Sequence, residues 1–296
     1  MAITLFVIPA LVLFLLLVIT PLVLSVYNSL YRWSGYQTAP RRFLGFDNFT
    51  RMLEDEVVID DLWRGFVIIA LSLLLQLPAA LGLAMLLNQP LRGRAVYRVL
   101  FFAPYVLSEV TTAVLFRVVF SAERGLAAEV LGPFGLGELG AVWLSEPRYV
   151  LFSLFLVISW KYFGLYMMLY LAARQNIPKE LTEAATTDGA GPWQTFWHVT
   201  LPLLGPTIRV SIFLSVIGAI QLFDMVYVLT GGGPAHASEV LAITMYDRAF
   251  IRFQFGYASA ISLAIFLIAL TFGLLYQRFV LRRDLEGAIT VMGGRR

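Results

Sequence analysis

The polar stretch EAATTDGAGPWQTFWHVTLP, at Glu183–Pro202, lies between two long apolar segments of the chain. Just before it, Pro178 suits the first turn of a helix, where its missing N–H costs no hydrogen bond. The segment PKELTEAATTDG therefore predicts a helix of about three turns, which Gly189 ends in a left-handed conformation. Pro192 is placed to begin a second short helix, PWQTFWHV. The stretch thus predicts two short helices joined by a turn.

Short helices of this kind are marginal by themselves, so the predicted pair must pack against something. Ala184 and Ala185 leave a smooth patch for close approach, and Trp193, Phe196 and Trp197 form an apolar ridge. The residues alone leave two interpretations open. Either the loop lies on the lipid headgroups with its tryptophans as interface anchors, or it docks into a protein partner.

The amino-acid composition of the whole chain is that of an integral membrane protein. Of the 296 residues, 59% are hydrophobic and only 14% are charged, whereas soluble domains carry roughly a quarter charged residues. The net charge of +3 is small and the basic residues form no stripe, so nucleic-acid binding is not expected. The absence of cysteine excludes disulfides and cysteine nucleophiles. His198 and His236 are too far apart in sequence to predict a histidine-rich metal site.

Six segments are long and apolar enough to cross a membrane, which takes about 20 residues in a helix. The sequence therefore predicts an all-α integral membrane protein with six transmembrane helices, in a single domain over residues 1–296. The polar loop, at residues 175–202, joins the fourth span to the fifth. The predicted spans lie near residues 3–30, 66–88, 99–120, 149–173, 203–229 and 255–277.

Six spans place both termini on the same side of the membrane, and the short loops favour the cytoplasm. Basic residues in short loops near span ends mark the cytoplasmic side, whereas the total number of basic residues does not distinguish the two sides here. The outer connections are longer and acidic, as in LEDEVVIDD. The arginines that favour this orientation follow the second span, at Arg92, Arg94 and Arg98, and the sixth, at Arg278, Arg282 and Arg283.

No catalytic or nucleotide-binding motif is present in the chain. A P-loop needs glycines and a Lys-Ser/Thr pair at set spacing so that backbone amides hold the phosphates. Lys161 and Lys179 both lack that setting, and the glycine-rich Thr230–Pro234 is better explained as a turn that closes the fifth span. We therefore expect no enzyme, no catalytic residue and no metal ligand in this chain.

Charged side chains within the predicted spans are functional candidates, because an ionisable group in the membrane interior is costly. Glu109 lies in the third span, Lys161 midway along the fourth and Asp224 in the fifth. Two interpretations of Lys161 stay open. It lies on a substrate pathway, or it forms a structural pair with Glu109 or Asp224.

The quoted stretch resembles the EAA loop of bacterial ABC importer permeases. That loop has E-A-A, a glycine six residues after the glutamate, and I-x-L-P further on, and Val199 stands where isoleucine is usual. Other stretches resemble the maltose-type and glycerol-phosphate-type sugar permeases of the first kind: FLGFDNF, RGRAVYRVLFFAPY, FDMVYVLTGGGP and FGYASAI. The resemblance covers nearly the whole chain and makes docking on lipid the weaker interpretation of the loop.

The resemblance implies a type I ABC importer permease fold, in the cell membrane of a bacterium or archaeon. It also implies a machine of two permeases, two ATPases and an external solute-binding protein. The second permease would differ from this one, so a heterodimer is expected. ATP and Mg²⁺ would bind the partner ATPases, and this chain would hold no cofactor. The EAA loop would be the coupling helix on an ATPase, through Glu183, Ala184, Ala185, Asp188, Gly189 and Ala190.

The resemblance further implies ATP-driven import of a carbohydrate by alternating access. A glycerol-phosphate-type or polyol substrate in the same machine is the first alternative. A secondary carrier is a second, although the chain shows no inverted repeat of the kind that such carriers contain. An intramembrane enzyme is opposed by the scattered positions of the charged groups.

Aligned on the EAA loop, the sugar-contacting positions of the family fall near Lys161, Tyr162 and Ser215. Two asparagines of the maltose permease correspond to Ala219 and Leu222 here, so the resemblance does not imply maltose as the substrate. Aromatic side chains such as Tyr162, Tyr166 and Phe223 could stack on a sugar, although such residues more often serve packing. Gln221 and Asp224 could hydrogen-bond sugar hydroxyls. The expected pathway residues are therefore Lys161, Tyr162, Ser215, Gln221 and Asp224.

Overall fold

The computed structural model describes residues 2–121, 125–134 and 142–281. These residues are mainly helical, with one small antiparallel sheet in which β1 (Tyr31–Arg32) pairs with β2 (Arg42–Phe43). The predicted all-α class is thereby confirmed. The α-helices in chain order are α1 (Ala2–Phe14), α2 (Thr20–Ser29), α3 (Asp47–Glu54), α4 (Glu56–Leu71), α5 (Leu77–Leu87), α6 (Arg94–Val106), α7 (Glu109–Val119), α8 (Leu126–Leu131), α9 (Pro147–Gln175), α10 (Lys179–Thr187), α11 (Pro192–Thr195), α12 (Leu201–Leu203), α13 (Gly205–Ile220), α14 (Asp224–Leu229), α15 (Leu241–Tyr246) and α16 (Phe255–Tyr276).

Short π-helical turns join several of these helices into longer ones. Such π-bulges are single turns with i→i+5 hydrogen bonds inside α-helices. One of them, Ser72–Gln76, joins α4 to α5 and bears on the site described below. The others lie at Leu15–Ile19, Phe196–Thr200, Asp247–Ile251 and Gln277–Leu281, and a 3₁₀ turn lies at Gly132–Phe134.

Four continuous helices of the described chain are long and apolar enough to cross a membrane. They are Val7–Ser29, Glu56–Leu87, Pro147–Gln175 and Phe255–Leu281. The number rises to six when two bent pairs are each counted as one span. The chain is therefore a multi-pass membrane protein. The predicted span limits, the single domain and the side of the termini remain predictions, and Arg282 and Arg283 lie outside the described residues.

The third predicted span is not one continuous helix. Helices α6 and α7 meet at an angle of 102°. The backbone turns into an extended conformation at Leu107 and Ser108, and the Ser108 hydroxyl accepts a hydrogen bond from the N–H of Thr111 at 3.0 Å. Ser108 thus caps a new helix where the pattern of apolar residues predicted none, because a bent segment and a straight one are equally apolar.

The fifth predicted span is also interrupted. The segment Pro192–Leu203 meets α13 at 65°, beside Gly205 and Pro206, and proline cannot donate the helical hydrogen bond at that point. A second interruption follows α13, since the helix ends at Ile220 and α14 begins at Asp224. Asp224 is therefore the first residue of a short separate helix.

The described chain divides into two compact units. One comprises the residues up to Gly65 together with Glu239–Leu270. Its core is formed by Val58, Tyr257 and Ile261, all at most 3% exposed. Beside this core, the Asp55 carboxylate accepts hydrogen bonds from the Tyr257 hydroxyl at 2.8 Å and from Arg248 at 3.1 Å.

The other unit comprises Phe66–Ser238 and the described residues from Thr271 onward. Its core lies where α5 packs along α9. The alanines on α5 allow the helix backbones to approach closely, as small residues do in membrane helix pairs. The buried residues of this core are Leu77, Ala80, Ala84 and Leu87 on α5 and Tyr166, Met167, Tyr170 and Leu171 on α9.

Helix α9 also packs closely against α6. A Cβ atom added at Gly164 would lie 1.9 Å from the carbonyl oxygen of Phe101 and 2.7 Å from the Cα of Phe102. Only a residue without a side chain fits at this contact. The pairing of α6 with α9 therefore depends on Gly164.

Candidate functional site

The loop quoted at the start forms the two predicted short helices. Helix α10 has nine residues and begins just after Pro178, whose extended backbone lies outside the first turn. The backbone at Gly189 has a φ of +86°, which confirms the predicted left-handed end. There the N–H of Gly189 donates to the Thr186 carbonyl at 3.0 Å, and that of Ala190 donates to the Ala185 carbonyl at 2.9 Å.

The second short helix, α11, begins at Pro192 as predicted. The side-chain oxygen of Gln194 accepts a hydrogen bond from the N–H of Gly191 at 3.0 Å, which satisfies a donor at the helix start. Trp193 and Trp197 are 71% and 47% exposed, and their rings contact each other and Phe196. The aromatic ridge is therefore an open apolar surface of the loop.

The loop residues expected to couple to the ATPase are mostly exposed. Glu183, Ala184, Asp188 and Gly189 are exposed, and Ala185 and Ala190 are half-buried. A groove of about 450 Å³ lies behind them in the same unit. Its lining includes Glu183 and Ala190 from the loop, with Asn88 after α5 and Arg174 near the end of α9. The loop is thus attached along one side and accessible on the other.

A second feature of the same unit is a cavity of about 460 Å³ among the apolar helices. Four of the five expected pathway residues line it: Tyr162, Ser215, Gln221 and Asp224. The aromatic side chains Tyr166 and Phe223, which were not among the expected pathway residues, line it as well. The fold therefore brings residues from α9, α13 and α14, which are distant in sequence, together around one cavity.

The polar side chains of this cavity are connected by hydrogen bonds. The Tyr162 hydroxyl donates to the Glu109 carboxylate. The Ser215 hydroxyl donates to the Ser72 hydroxyl at 2.8 Å, and Ser72 donates in turn to the side-chain oxygen of Gln76. The cavity therefore has a carboxylate–phenol pair on one part of its wall and a serine–serine–glutamine chain on another.

Ser72 and Gln76 are the functional candidates that sequence reasoning missed. Both are buried, at 5% and 3% exposed, and both line the cavity. The sequence feature that could have pointed to them is a serine and a glutamine inside the otherwise apolar segment LSLLLQLP. Neither residue carries a charge, and neither is among the positions to which the family resemblance points.

The fifth pathway candidate, Lys161, is not among the described residues that line the cavity. Its side chain is buried, and its ammonium group donates to the backbone carbonyls of Leu107 and, at 3.5 Å, of Tyr105. These carbonyls lie at the end of α6, where the last C=O groups have no partner in the helix and carry partial negative charge. Lys161 thus caps the broken helix, a contact that the sequence did not predict.

A Lys161→Met variant is expected to be less stable by about 1–3 kcal/mol, because the carbonyls at the end of α6 lose their charged donor. The measurement is thermal unfolding of the purified complex in detergent. Lys179→Met is the matched control, since the side chain of Lys179 is exposed. Equal melting temperatures for the two variants would contradict the capping role.

The chain is similar in sequence to known transport proteins. Residues 1–284 match the family described as "binding-protein-dependent transport system inner membrane component". The chain is 36% identical to the probable ABC transporter permease protein YurN of Bacillus subtilis, over 93% of this chain and 94% of that one. It is 34% identical to the lactose transport system permease protein LacF of Rhizobium radiobacter, over 89% of each chain.

A solved structure has the same fold. It is that of a bacterial alginate ABC transporter in complex with an alginate pentasaccharide-bound periplasmic protein. The TM-score is 0.81 at 23% sequence identity, over 95% of this chain and 94% of that one. The expected type I ABC importer permease fold is thereby confirmed.

Proposed function

The chain belongs to the family of binding-protein-dependent transport system inner membrane components, and on that premise we propose that it imports a carbohydrate as the membrane-spanning permease of an ATP-driven transporter. The observation that supports a transport pathway is the cavity of about 460 Å³ among apolar helices, lined by Tyr162, Ser215, Gln221 and Asp224. A binding site for a sugar needs aromatic and hydrogen-bonding side chains around the same cavity. The lactose permease among its relatives supports the carbohydrate class.

Coupling to ATP hydrolysis is assigned to the loop around α10. Glu183, Ala184, Ala185, Asp188, Gly189 and Ala190 are proposed to seat in a partner ATPase. A short helix that is attached along one side and exposed on the other can transmit a rigid-body displacement to the spans. The exposed Trp193 and Trp197 extend that surface and are proposed to pack against the partner.

The partners proposed for the complex are a second, different permease, two ATPase subunits and an extracytoplasmic solute-binding protein. The absence of a P-loop from this chain is consistent with ATP and Mg²⁺ binding to the ATPases. The periplasmic protein named in the alginate complex supports the binding-protein partner. Binding of ATP and of the loaded binding protein would shift the spans between inward-open and outward-open states.

Both termini are proposed to be cytoplasmic, in the inner membrane of a bacterium or in the cell membrane of an archaeon. Arg92, Arg94 and Arg98 lie in and just after the short connection between α5 and α6, which this orientation places in the cytoplasm. The loop around α10 then faces the cytoplasm, where an ATPase can reach it. Neither a secondary carrier nor a glycerol-phosphate or polyol substrate is favoured by the relatives matched.

The proposed function is tested by reconstituting the complete complex in lipid vesicles with its binding protein and measuring uptake of a saccharide panel. Uptake is expected only when ATP and the binding protein are both supplied. Reconstitution without the ATPases, with the same lipid and binding protein, is the control. Uptake driven by a proton or sodium gradient without ATP would contradict the proposal.

A further inference from the structure

Gln76 lies at an unusual place in the wall of the cavity. It is the last residue of the π-helical turn Ser72–Gln76, which interrupts the otherwise regular helix Glu56–Leu87. Such turns occur frequently at functional sites, because they redirect side chains that a regular helix would place elsewhere. The turn places Ser72 and Gln76 together on the cavity wall.

The hydrogen bonds of this turn leave one end of the glutamine amide unused. The side-chain oxygen of Gln76 accepts from Ser72, which itself accepts from Ser215. The Nε2 group of Gln76 is buried and has no hydrogen-bond partner in the described chain. Exchanging the oxygen and nitrogen of the amide would leave the oxygen without a partner instead. Either way, Gln76 lines the cavity and has one polar atom without a hydrogen-bond partner in the described chain.

An unsatisfied buried donor is unfavourable, and buried polar groups in folded proteins are normally paired. Gln76 is only 3% exposed, so bulk water does not satisfy it. An occupant of the cavity with a hydroxyl or ring oxygen would supply the missing acceptor. The serine–serine–glutamine chain holds the amide in place for such an occupant.

The charges of the cavity restrict what the occupant is. Glu109 and Asp224 line the cavity, and among its described lining residues there is no lysine or arginine. Glu109 is the first residue of α7, where the helix dipole favours a negative charge. The nearby ammonium of Lys161 is bound to backbone carbonyls. A phosphate or carboxylate in this space would meet two carboxylates, whereas Lys161, outside the lining, already donates to backbone carbonyls.

We propose that the amide of Gln76 binds a saccharide in this cavity and that the site accepts uncharged saccharides while rejecting anionic ones. This inference rests on the proposed function and specifies the substrate class of the same cavity. Tyr105, Tyr162, Tyr166 and Phe223 supply ring surfaces on which the apolar face of a sugar can stack. Glu109 and Asp224 are acceptors for its hydroxyl groups.

The experiment measures how far saccharides stabilise the complete permease–ATPase complex against thermal unfolding, without the binding protein. The neutral probes are lactose, trehalose and maltose, and the anionic probes are glucuronate and glucose 6-phosphate. At least one neutral probe is expected to raise the melting temperature of the wild type, as a ligand of the folded state does. The anionic probes are expected to leave it unchanged.

Gln76→Glu and Gln76→Met are the variants that test the amide. Glutamate keeps an acceptor for Ser72 and loses the donor, and methionine has a similar length and no hydrogen-bonding amide. Each is expected to weaken binding of the neutral saccharide about tenfold, the equivalent of one hydrogen bond. Gln37→Met is the matched control, because Gln37 is exposed and lies outside this unit.

A structural role for Gln76 would give a different result. The Gln76→Met complex without saccharide loses only the bond from Ser72, because Nε2 bonds to nothing in the described chain, so a small decrease of its melting temperature is expected. A large loss of stability without saccharide, an undiminished response to the neutral saccharide, stabilisation by an anionic probe, or no stabilisation by any neutral probe would each overturn the inference. Failure of the proposed function is recognised separately, by absence of ATP-dependent uptake in the wild type.

Discussion

A Gly189→Pro permease is expected to lose saccharide uptake almost completely. Gly189 has a φ of +86°, whereas proline fixes φ near −65°. Proline also removes the N–H that donates to the Thr186 carbonyl. The end of α10 must therefore rearrange, at a local cost of more than about 1 kcal/mol, and the exposed motif residues lose their positions. The measurement is uptake and ATP hydrolysis by the reconstituted complex.

The matched pair Gly189→Ala and Gly191→Ala separates backbone strain from a general effect on the loop. Gly191 has a φ of −69°, which alanine adopts without strain, so Gly191→Ala is expected to retain uptake. Gly189→Ala is expected to lower uptake, because alanine is strained at the positive φ of this position. Glu183→Ala leaves the backbone intact and is expected to uncouple ATP hydrolysis from uptake or to weaken assembly with the ATPase. Normal transport by Gly189→Pro and Glu183→Ala together would remove the coupling role from this loop.

A Gly164→Leu permease is expected not to assemble. A Cβ atom at this position would lie 1.9 Å from the Phe101 carbonyl oxygen, and that contact is backbone that cannot move without shifting α6. Overpacking of a core typically costs about 1–3 kcal/mol when side chains can yield. A clash with a helix backbone costs more, since α6 and α9 must separate. The measurement is the yield of purified complex and its melting temperature.

Gly273 provides the control for this substitution. It lies inside α16, and a Cβ added there would meet no described atom within 4 Å. Gly273→Ala is expected to stabilise the helix by up to about 1 kcal/mol, whereas Gly164→Ala is expected to destabilise the protein. Equal behaviour of the two alanine variants would show that the contact between α6 and α9 tolerates a side chain.

The loop around α10 was predictable because its signals are local. Gly189 and Pro192 have conformational preferences that act over a few residues. Those preferences correctly predicted the left-handed end of α10 and the start of α11. Pro178 was predicted in the first turn of α10 and lies one position before it. The exposure of Trp193 could not be predicted from the sequence, because a tryptophan residue by itself does not indicate whether other side chains cover it.

The cavity was predictable only in part. Tyr162, Ser215, Gln221 and Asp224 were expected on the pathway and do line the cavity. Lys161 was expected there because a charged side chain within a membrane span is costly. In the structure its ammonium group instead donates hydrogen bonds to carbonyls at the end of α6. The bend of 102° that exposes those carbonyls has no signature in hydropathy.

The sequence by itself determined that this protein crosses the membrane as a bundle of helices and belongs to a family of importer permeases. Apolar length and motif spacing are properties of contiguous residues, so they need no knowledge of neighbouring helices. The tertiary structure decided that Lys161 caps a broken helix and that Gln76 brings an unsatisfied amide to the cavity wall. Those outcomes depend on where helices break and how they rotate against one another, and packing between distant segments controls both.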